Sequence, residues 1–326
     1  MNHKITSWPV TPCGAVKHEY GLISLSKLSN ESMIGLLRRS CDLHSNPNAH
    51  SSPLTRRSVG ILFSKTSTRT RTAFTVATIR LGGTPVMFGP ADLQTNTGES
   101  LEDTGKIFAS MLDLLVVRTA GPTHELHLLS GGGLLPVINA MTTEEHPTQG
   151  ICDLATMWMN FGSIEGLRVL YIGEGNNTAT ALARGLTSFK GCQFTVVTPP
   201  EYGLPTQILE ECTRKAKEVG GAISQTYSLV DLPDEVDVVY TTRWQTTGTT
   251  KSDFAWREVF RPYYIDENFM QRWPKAVFMH DLPAHRGEEV STAVLEGKQS
   301  LVWLQASMKL SSAMAILEYS IQRGCL

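Results

Sequence analysis

Residues 59–81 read VGILFSKTSTRTRTAFTVATIRL, and this stretch decides the fold. A short apolar run, Val59 to Phe63, gives way to a string of hydroxyls and guanidiniums, Thr66-Ser-Thr-Arg-Thr-Arg-Thr72. Helical periodicity through Phe74, Val76, Ala77 and Leu81 follows. A buried strand handing over to a helix in this way is the first half of a βαβ unit. The same alternation continues to the end of the chain. Strands are expected at Val59–Ser64, Pro85–Phe88, Leu114–Arg118 and Leu135–Asn139, then at Arg168–Ile172, Gln193–Val197, Ile223–Thr226, Val236–Tyr240 and Ala276–Met279. Helices are expected at Thr104–Met111, behind a Ser100/Asp103 capping box, and at Thr178–Phe189, Thr206–Val219 and Ala306–Ile321. The pattern is α/β, in two halves each with its own parallel sheet. Pro147 opens a helix that runs to Phe161 and bridges them, ahead of the turn at Gly162–Gly166. Asp253–Trp273 lacks clear periodicity and reads as a mobile loop over a site.

Composition narrows the function. With 326 residues, 41% hydrophobic and 18% charged, the chain has the length for one large or two medium domains, which excludes disorder, collagen and a mini-protein held by disulfides. The 29 Lys and Arg against 31 Asp and Glu leave a net charge of −2, so no global basic field draws it to nucleic acid or an anionic membrane. Any anion must be caught by a local site. Cys13, Cys41, Cys152, Cys192, Cys212 and Cys325 lie far apart without zinc spacing and read as free thiols of a cytoplasmic protein. No signal peptide and no apolar run of membrane-spanning length is present in the sequence.

Two segments carry chemistry. Ser67, Thr68, Arg69, Thr70 and Arg71 sit where the first strand passes into a helix. Unpaired N–H groups and the positive dipole end at a helix start, joined by hydroxyls and guanidiniums, make a phosphate cradle without P-loop glycines. The alternative is a Ser/Thr cap with two solvated arginines; the position at the C-terminal end of a strand, where open α/β sheets bind ligands, favours the cradle. The second segment is Glu145-His146-Pro147-Thr148-Gln149, again after a strand and opening a helix. A neutral His146 there can donate to a carbonyl oxygen and polarise it, with the Gln149 amide one turn on; an ordinary capping histidine is the alternative.

Taken together, the S-T-R-T-R and H-P-T-Q segments, in this order and separation, resemble the aspartate/ornithine carbamoyltransferase family over roughly Leu22 to Ile321. The resemblance implies two parallel-sheet α/β domains joined by interdomain helices. Residues 1–150 would form a carbamoyl phosphate-binding domain, with a C-terminal helix over 306–322 packing back on it, and residues 151–305 an amino-substrate domain. It implies transfer of a carbamoyl group from carbamoyl phosphate to an amine. Ser67, Thr68, Arg69 and Thr70 would hold the phosphate, with Arg71 shaping the loop. Arg118, which ends the run LLVVR, would lie between phosphate and carbonyl, and His146 with Gln149 would polarise the carbamoyl group. Gln94 in QTNTGES would reach a phosphate in a neighbouring subunit, which implies a homotrimer or a dimer of trimers. Lys309 in QASMK takes the place of the family's arginine, and Leu282 lies by the donor. Amine attack on an acyl phosphate needs no cofactor, metal or covalent nucleophile, only positioning and charge.

The amine acceptor is where the sequence departs from both branches of the family. In Tyr240-Thr-Thr-Arg-Trp-Gln-Thr-Thr-Gly248 the ornithine branch would place an aspartate at position 242 and Ser-Met at 246 and 247; Thr242, Thr246 and Thr247 stand there instead. Arg243 and Gln245 resemble the aspartate branch's carboxylate-binding T-R-x-Q. Asn177 in Gly173-Glu-Gly-Asn-Asn-Thr178 matches an ornithine-branch carboxylate contact. In Met279-His-Asp-Leu-Pro-Ala-His-Arg-Gly-Glu-Glu-Val290, Asp281 occupies the ornithine branch's cysteine position, either beside a cationic amine whose proton it accepts or as a cap paired with Arg286 or Lys309. The expected acceptor is an amino acid or diamine derivative, for example a shorter diamino acid such as 2,3-diaminopropionate; ornithine is the alternative, then aspartate, then a non-catalytic phosphate-ligand-binding relic. Two weaker signals point elsewhere. Gly173-Glu-Gly175 after a strand suggests a dinucleotide but lacks the third glycine. His124 and His127 have metal-ligand spacing without an acidic or cysteine companion, as on a surface helix.

Overall fold

The computed structural model describes residues 21–246, 250–251 and 255–322, and among them ten strands form two sheets. The first sheet holds β1 (Gly21–Leu22), β2 (Ser58–Phe63), β3 (Thr84–Phe88), β4 (Leu114–Arg118) and β5 (Val137–Asn139) in the order β1-β5-β4-β2-β3. The second holds β6 (Arg168–Ile172), β7 (Gln193–Val197), β8 (Ala222–Thr226), β9 (Val238–Thr241) and β10 (Val277–His280) in the order β10-β9-β6-β7-β8. Every pairing is parallel, with Phe63 opposite Arg118 and Tyr171 opposite Tyr240. The nine expected strands are all present, three with the expected ends and six with ends displaced by at most two residues; β1 was not anticipated. The continuous apolar runs have a physical reason: β4 is buried throughout, as is β2 after its first residue, because helices cover both sheet faces.

Those helices are α1 (Asn30–Ser45), α2 (Arg69–Arg80), α3 (Leu101–Met111), α4 (His124–Leu129), α5 (Pro147–Phe161), α6 (Asn177–Leu186), α7 (Thr206–Glu218), α8 (Trp256–Phe260), α9 (Glu267–Met270), α10 (Thr292–Leu295) and α11 (Val302–Gln322). Between the sheets, α5 is buried from Pro147 to Met157 and is flanked by α1, α6 and α11. Its burial on all sides over these residues matches its predominantly apolar sequence. From the C-terminus, α11 returns to pack on α1, α2 and α5, and it begins at Val302, four residues before the expected Ala306. Unanticipated in the sequence, α1 is capped by the Ser29 side chain on the Ser32 N–H and buries Met33, Leu36, Leu37 and Leu43. At α3 the expected cap forms: Ser100 Oγ accepts from the Asp103 N–H at 3.0 Å and donates to Asp103 Oδ2 at 2.8 Å.

One expectation is corrected. From Trp256 onward, the segment read as a mobile loop is α8, a 3-10 turn at Arg261–Tyr263 and α9, and it buries Trp256, Phe260, Tyr263, Ile265, Met270 and Trp273. Helices of four or five residues are too short to display a period, so the pattern escaped notice. Residues 253 and 254 lie outside the described residues. Cys41, Cys152, Cys192 and Cys212 are free thiols, and Cys13 and Cys325 are also outside the described residues. Among the described residues no helix is long and apolar enough to cross a membrane.

The two halves are stapled by Glu145, 1% exposed. Its Oε1 accepts from the Leu25 N–H at 2.9 Å and its Oε2 from Arg184 Nη1 on α6 at 2.5 Å. Arg184 also pairs with Glu211 at 2.9 Å. Removing the central carboxylate leaves the Leu25 N–H without its partner and takes from Arg184 one of its two carboxylates, Glu211 remaining. Glu145→Ala is therefore expected to cost about 1–3 kcal/mol, read as a lower urea midpoint. An unchanged midpoint would show that the staple is idle.

Candidate active site

The C-terminal strand ends of both sheets, with the loops and helix starts that follow them, face one cavity of 270 Å³. The first sheet supplies Thr66–Thr70 after β2, Arg118 at the end of β4, and Met141 and His146 after β5. The second supplies Asn176–Thr178 after β6, Thr242–Thr246 after β9, and Asp281–Pro283 after β10; Gln149 of α5 and Lys309 of α11 complete the wall. Two lining residues, Met141 at φ 141° and Leu282 at φ 53°, hold positive φ without being glycine. Backbone strain of this kind persists where surrounding structure over-determines a site.

The charge balance is one-sided. Among the described lining residues, Arg69, Arg118, Arg243 and Lys309 face a single carboxylate, Asp281. Arg118 is 8% exposed, and its Nε is buried without a hydrogen-bond partner, as is that of Arg243. Burial pushes the Arg118 guanidinium down to about 10, opposed by the charge of Asp281 and assisted by that of Arg69. Arg69 is lowered by the same burial and supported by Asp281. At the start of α2, Thr68 caps the helix without a side-chain hydrogen bond, so the N–H groups of the first turn and the Thr68 hydroxyl stay open to a ligand. Such a site is built for a multiply charged anion.

His146 is held well below the ordinary histidine range by burial, reinforced by Arg118 and Lys309. It is therefore neutral, as expected. Its Nε2 lies 3.3 Å from Arg118 Nη1 and its Nδ1 3.3 Å from Thr148 Oγ1. A guanidinium only donates, so the facing Nε2 carries the lone pair and Nδ1 the proton. In this arrangement the His146 lone pair faces Arg118 and its proton faces Thr148. The Gln149 amide is engaged as well: Nε2 donates to Asp153 Oδ1 at 2.6 Å and Oε1 accepts from Lys309 Nζ.

On the second sheet, Asp281 Oδ2 accepts from Thr178 Oγ1 at 3.0 Å, while Arg286 pairs instead with Glu296. The alternative of Asp281 as a cap paired with Arg286 is not what forms; a hydroxyl contact leaves the carboxylate in the cavity wall. Behind it, buried Glu289 Oε1 takes the His280 Nε2 proton at 3.1 Å, and His280 Nδ1 accepts the Leu282 N–H at 2.8 Å, which fixes the turn that presents Asp281 and Leu282. The Thr242 hydroxyl is taken up by the Tyr171 phenol and by Asn176 Nδ2, both at 3.1 Å. Asn177 donates to Thr142 O at 2.7 Å. Glu174 of the GEGNN loop accepts from Thr246 Oγ1 at 3.0 Å and pairs with Lys251, whose ammonium lies against Tyr202, Trp256 and Phe260. Gly175 there serves packing: a Cβ would meet the Gly203 carbonyl carbon at 2.4 Å, while Gly173 holds a φ of 129°.

Of the residues expected from sequence, Ser67, Thr68, Arg69, Thr70, Arg118, His146, Gln149, Asn177, Thr242, Arg243, Gln245, Thr246, Asp281, Leu282 and Lys309 all line this cavity. Gln94 is exposed and does not; Arg71 stacks over Phe63 at 5.3 Å, outside the lining. Thr247 lies outside the described residues. His124 and His127 are exposed on α4. Thr178, Asn176 and Asp153 were missed. The first two stood inside a quoted motif, and Asp153 follows Gln149 by one helical turn, the spacing at which two side chains on a helix meet.

Residues 21–159 match the aspartate/ornithine carbamoyltransferase carbamoyl-P binding domain, and residues 165–320 the Asp/Orn binding domain of the same family. Ornithine carbamoyltransferase of Thermosynechococcus vestitus is 38% identical over 263 residues, 79% of this chain and 83% of that one. The enzyme of that name from Nostoc punctiforme is 35% identical over 302 residues, 91% and 95% of the two chains. Among solved structures, ornithine carbamoyltransferase from Pyrococcus furiosus superposes with a TM-score of 0.86 at 30% identity over 92% of this chain and 96% of that one. A mitochondrial ornithine carbamoyltransferase from Coccidioides immitis reaches 0.84 at 30% identity, covering 93% and 98%. With both halves matched and relatives of this identity along nearly its whole described length, the chain belongs to the aspartate/ornithine carbamoyltransferase family.

Proposed function

We propose that this carbamoyltransferase moves the carbamoyl group of carbamoyl phosphate to the amine of an amino acid or diamine-type acceptor other than standard ornithine. The observation that carries the acceptor reading is Thr242: a neutral hydroxyl, already bonded to Tyr171 and Asn176, stands where the ornithine branch grips the substrate ammonium with an aspartate. The carboxylate in the described lining sits instead on Asp281, while Arg243 and Gln245 offer a carboxylate site. An acceptor with its amine at Asp281 and its carboxylate at Arg243, such as 2,3-diaminopropionate, suits this placement. Ornithine is the second reading, favoured by the names of the relatives.

In this reading Ser67, Thr68, Arg69, Thr70 and Lys309 take the phosphate of the donor, and Arg118, oriented by His146, faces its carbonyl oxygen. The acceptor nitrogen attacks the carbonyl carbon, negative charge builds on that oxygen, and Arg118 with Thr70 stabilises it. The C–O bond to phosphate then breaks. The proton lost by nitrogen passes to Asp281 and from there to the departing phosphate, so that a ureido product and hydrogen phosphate remain. Electrostatic stabilisation and alignment of two small reactants supply the rate. Gln94, exposed and outside its own cavity, serves the donor site of a neighbouring copy in a homotrimer. Ile79, Met87, Ile107 and Met111, exposed on β3 and the helices α2 and α3, supply apolar area for such contacts.

The direct test follows phosphate release from carbamoyl phosphate over ornithine, 2,4-diaminobutyrate, 2,3-diaminopropionate, lysine, aspartate and putrescine, with the ureido product identified by mass. A clear preference for ornithine would overturn the altered-acceptor reading; no product with any amine would favour the relic. Arg69→Ala and Arg118→Met are expected to lower kcat by about 100-fold or more with every acceptor. Arg243→Ala should instead raise the acceptor KM about 10-fold or more, the worth of one charged hydrogen bond, at a nearly constant kcat. Mixing Gln94→Ala with Arg69→Ala subunits should restore activity to two inactive preparations, because a hybrid interface joins an intact Arg69 to an intact Gln94. Without recovery, the shared site is wrong.

A further inference from the structure

Beneath the cavity wall lies a buried polar cluster of Asp153, Tyr240 and Gln305, none of them in the lining. Asp153 is wholly buried, one turn after Gln149 on α5. Its Oδ1 accepts from Gln149 Nε2 and Gln305 Nε2, each at 2.6 Å, and its Oδ2 accepts from the Tyr240 hydroxyl at 2.8 Å. Gln305 Nε2 also donates to the Tyr240 hydroxyl at 3.2 Å, and Gln305 Oε1 accepts from the His280 N–H at 3.0 Å. The two amides thus point their nitrogens at one carboxylate. For Gln149 this leaves Oε1 toward Lys309, whose ammonium donates to it. An ionised carboxylate accepts and never donates, so it decides which end of each amide turns toward it.

We propose that Asp153 is a positioning residue for the donor site: by holding the nitrogen of Gln149 it keeps the Gln149 oxygen turned outward, and through that oxygen it holds the Lys309 ammonium at the phosphate. The substrate named here rests on the carbamoyl-transfer reading; the positioning does not. A lysine needs such help more than an arginine would. Its ammonium is a single rotatable point of charge that burial can strip of its proton, whereas a guanidinium is a planar fork that stays charged.

The groups around Lys309 make the consequence specific. Burial lowers the Lys309 ammonium; Cys152, Asp153 and Asp281 oppose this, and Arg69 adds to it. The Cys152 thiol is pushed up to about 12 and the Tyr240 phenol well above its ordinary value, so neither carries charge near neutrality. His146, held low, is neutral as well. The negative charge supporting Lys309 from α5 is therefore that of Asp153, itself pushed up to about 7 by burial and held from rising further by Lys309 and the hydrogen bonds of Gln305, Tyr240 and Gln149. Donor binding then requires Asp153 ionised, which sets an acid limb near pH 7, and Lys309 protonated, which sets an alkaline limb.

The test measures kcat/KM for carbamoyl phosphate against pH in the wild type, Asp153→Asn, Tyr240→Phe and Lys309→Arg, with stabilisation by inorganic phosphate recorded in parallel. Asp153→Asn is expected to reduce kcat/KM about 10-fold or more, as for a lost charged hydrogen bond, to abolish the acid limb and to move the alkaline limb to lower pH. Tyr240→Phe keeps the shape but removes a bond that favours the ionised form, so its acid limb should move to higher pH; this variant answers the question if Asp153→Asn does not fold. Lys309→Arg should lose the alkaline limb. Limbs that stay in place in Asp153→Asn or Tyr240→Phe, with only the melting temperature changed, would reduce Asp153 to packing and overturn the proposal. If no amine is carbamoylated while phosphate stabilisation still follows this pH pattern, the functional reading fails and the positioning role stands.

Discussion

The Arg118 guanidinium is drawn out of water with no carboxylate among the described residues in contact, and much of the architecture exists to make that tolerable. Leaving a charge buried and unpaired is costly unless other groups satisfy it. Arg118 stands at the end of a fully buried strand, so its backbone cannot relax, and its head meets a histidine kept neutral by the same low-dielectric surroundings. The positive field that results is balanced by Asp281 across the cavity and awaits an anion for the rest. That places the binding energy for a phosphate-bearing donor in the fold itself, prepaid during folding.

The second wall works differently. Where the first presents Arg69 and Arg118, the second, Arg243 apart, presents groups already committed to one another: Tyr171 stacked 5.8 Å from Tyr240, the Thr242 hydroxyl between Tyr171 and Asn176, and the Glu174 carboxylate shared by Thr246 and Lys251. Rigid hydrogen-bonded walls discriminate by leaving a poorly matched substrate with unpaired groups, and small changes of residue type there alter choice without disturbing the donor side. The separation of donor and acceptor chemistry onto two sheets is what allows one family scaffold to accept different amines.

Much of this was legible in the sequence because parallel strands buried on both faces write themselves as unbroken apolar runs, and because ligands gather where such strands end. Thr68 to Thr70, Arg118 and His146 could each be placed from a run and the residue that terminates it. What escaped was of two kinds. In α1 and in α8 with α9, the helical signal was either undercut by polar residues or too short to show a period. Asp153, Thr178 and Glu289 act through other side chains, and nothing in a linear reading says that the Gln149 amide will turn toward Asp153 and away from a ligand. The direction of the His146 proton was beyond reach for the same reason, since it follows from which group faces Nε2.

The contact between Gly175 and Gly203 has a consequence for how this molecule can change. With backbone against backbone and no space for a methyl group, any side chain at position 175 would push the loop after β6 away from the turn at Gly203 and Leu204. Side chains on the strand ends can be exchanged without disturbing this contact, whereas a methyl group added at position 175 cannot be taken up without moving main chain.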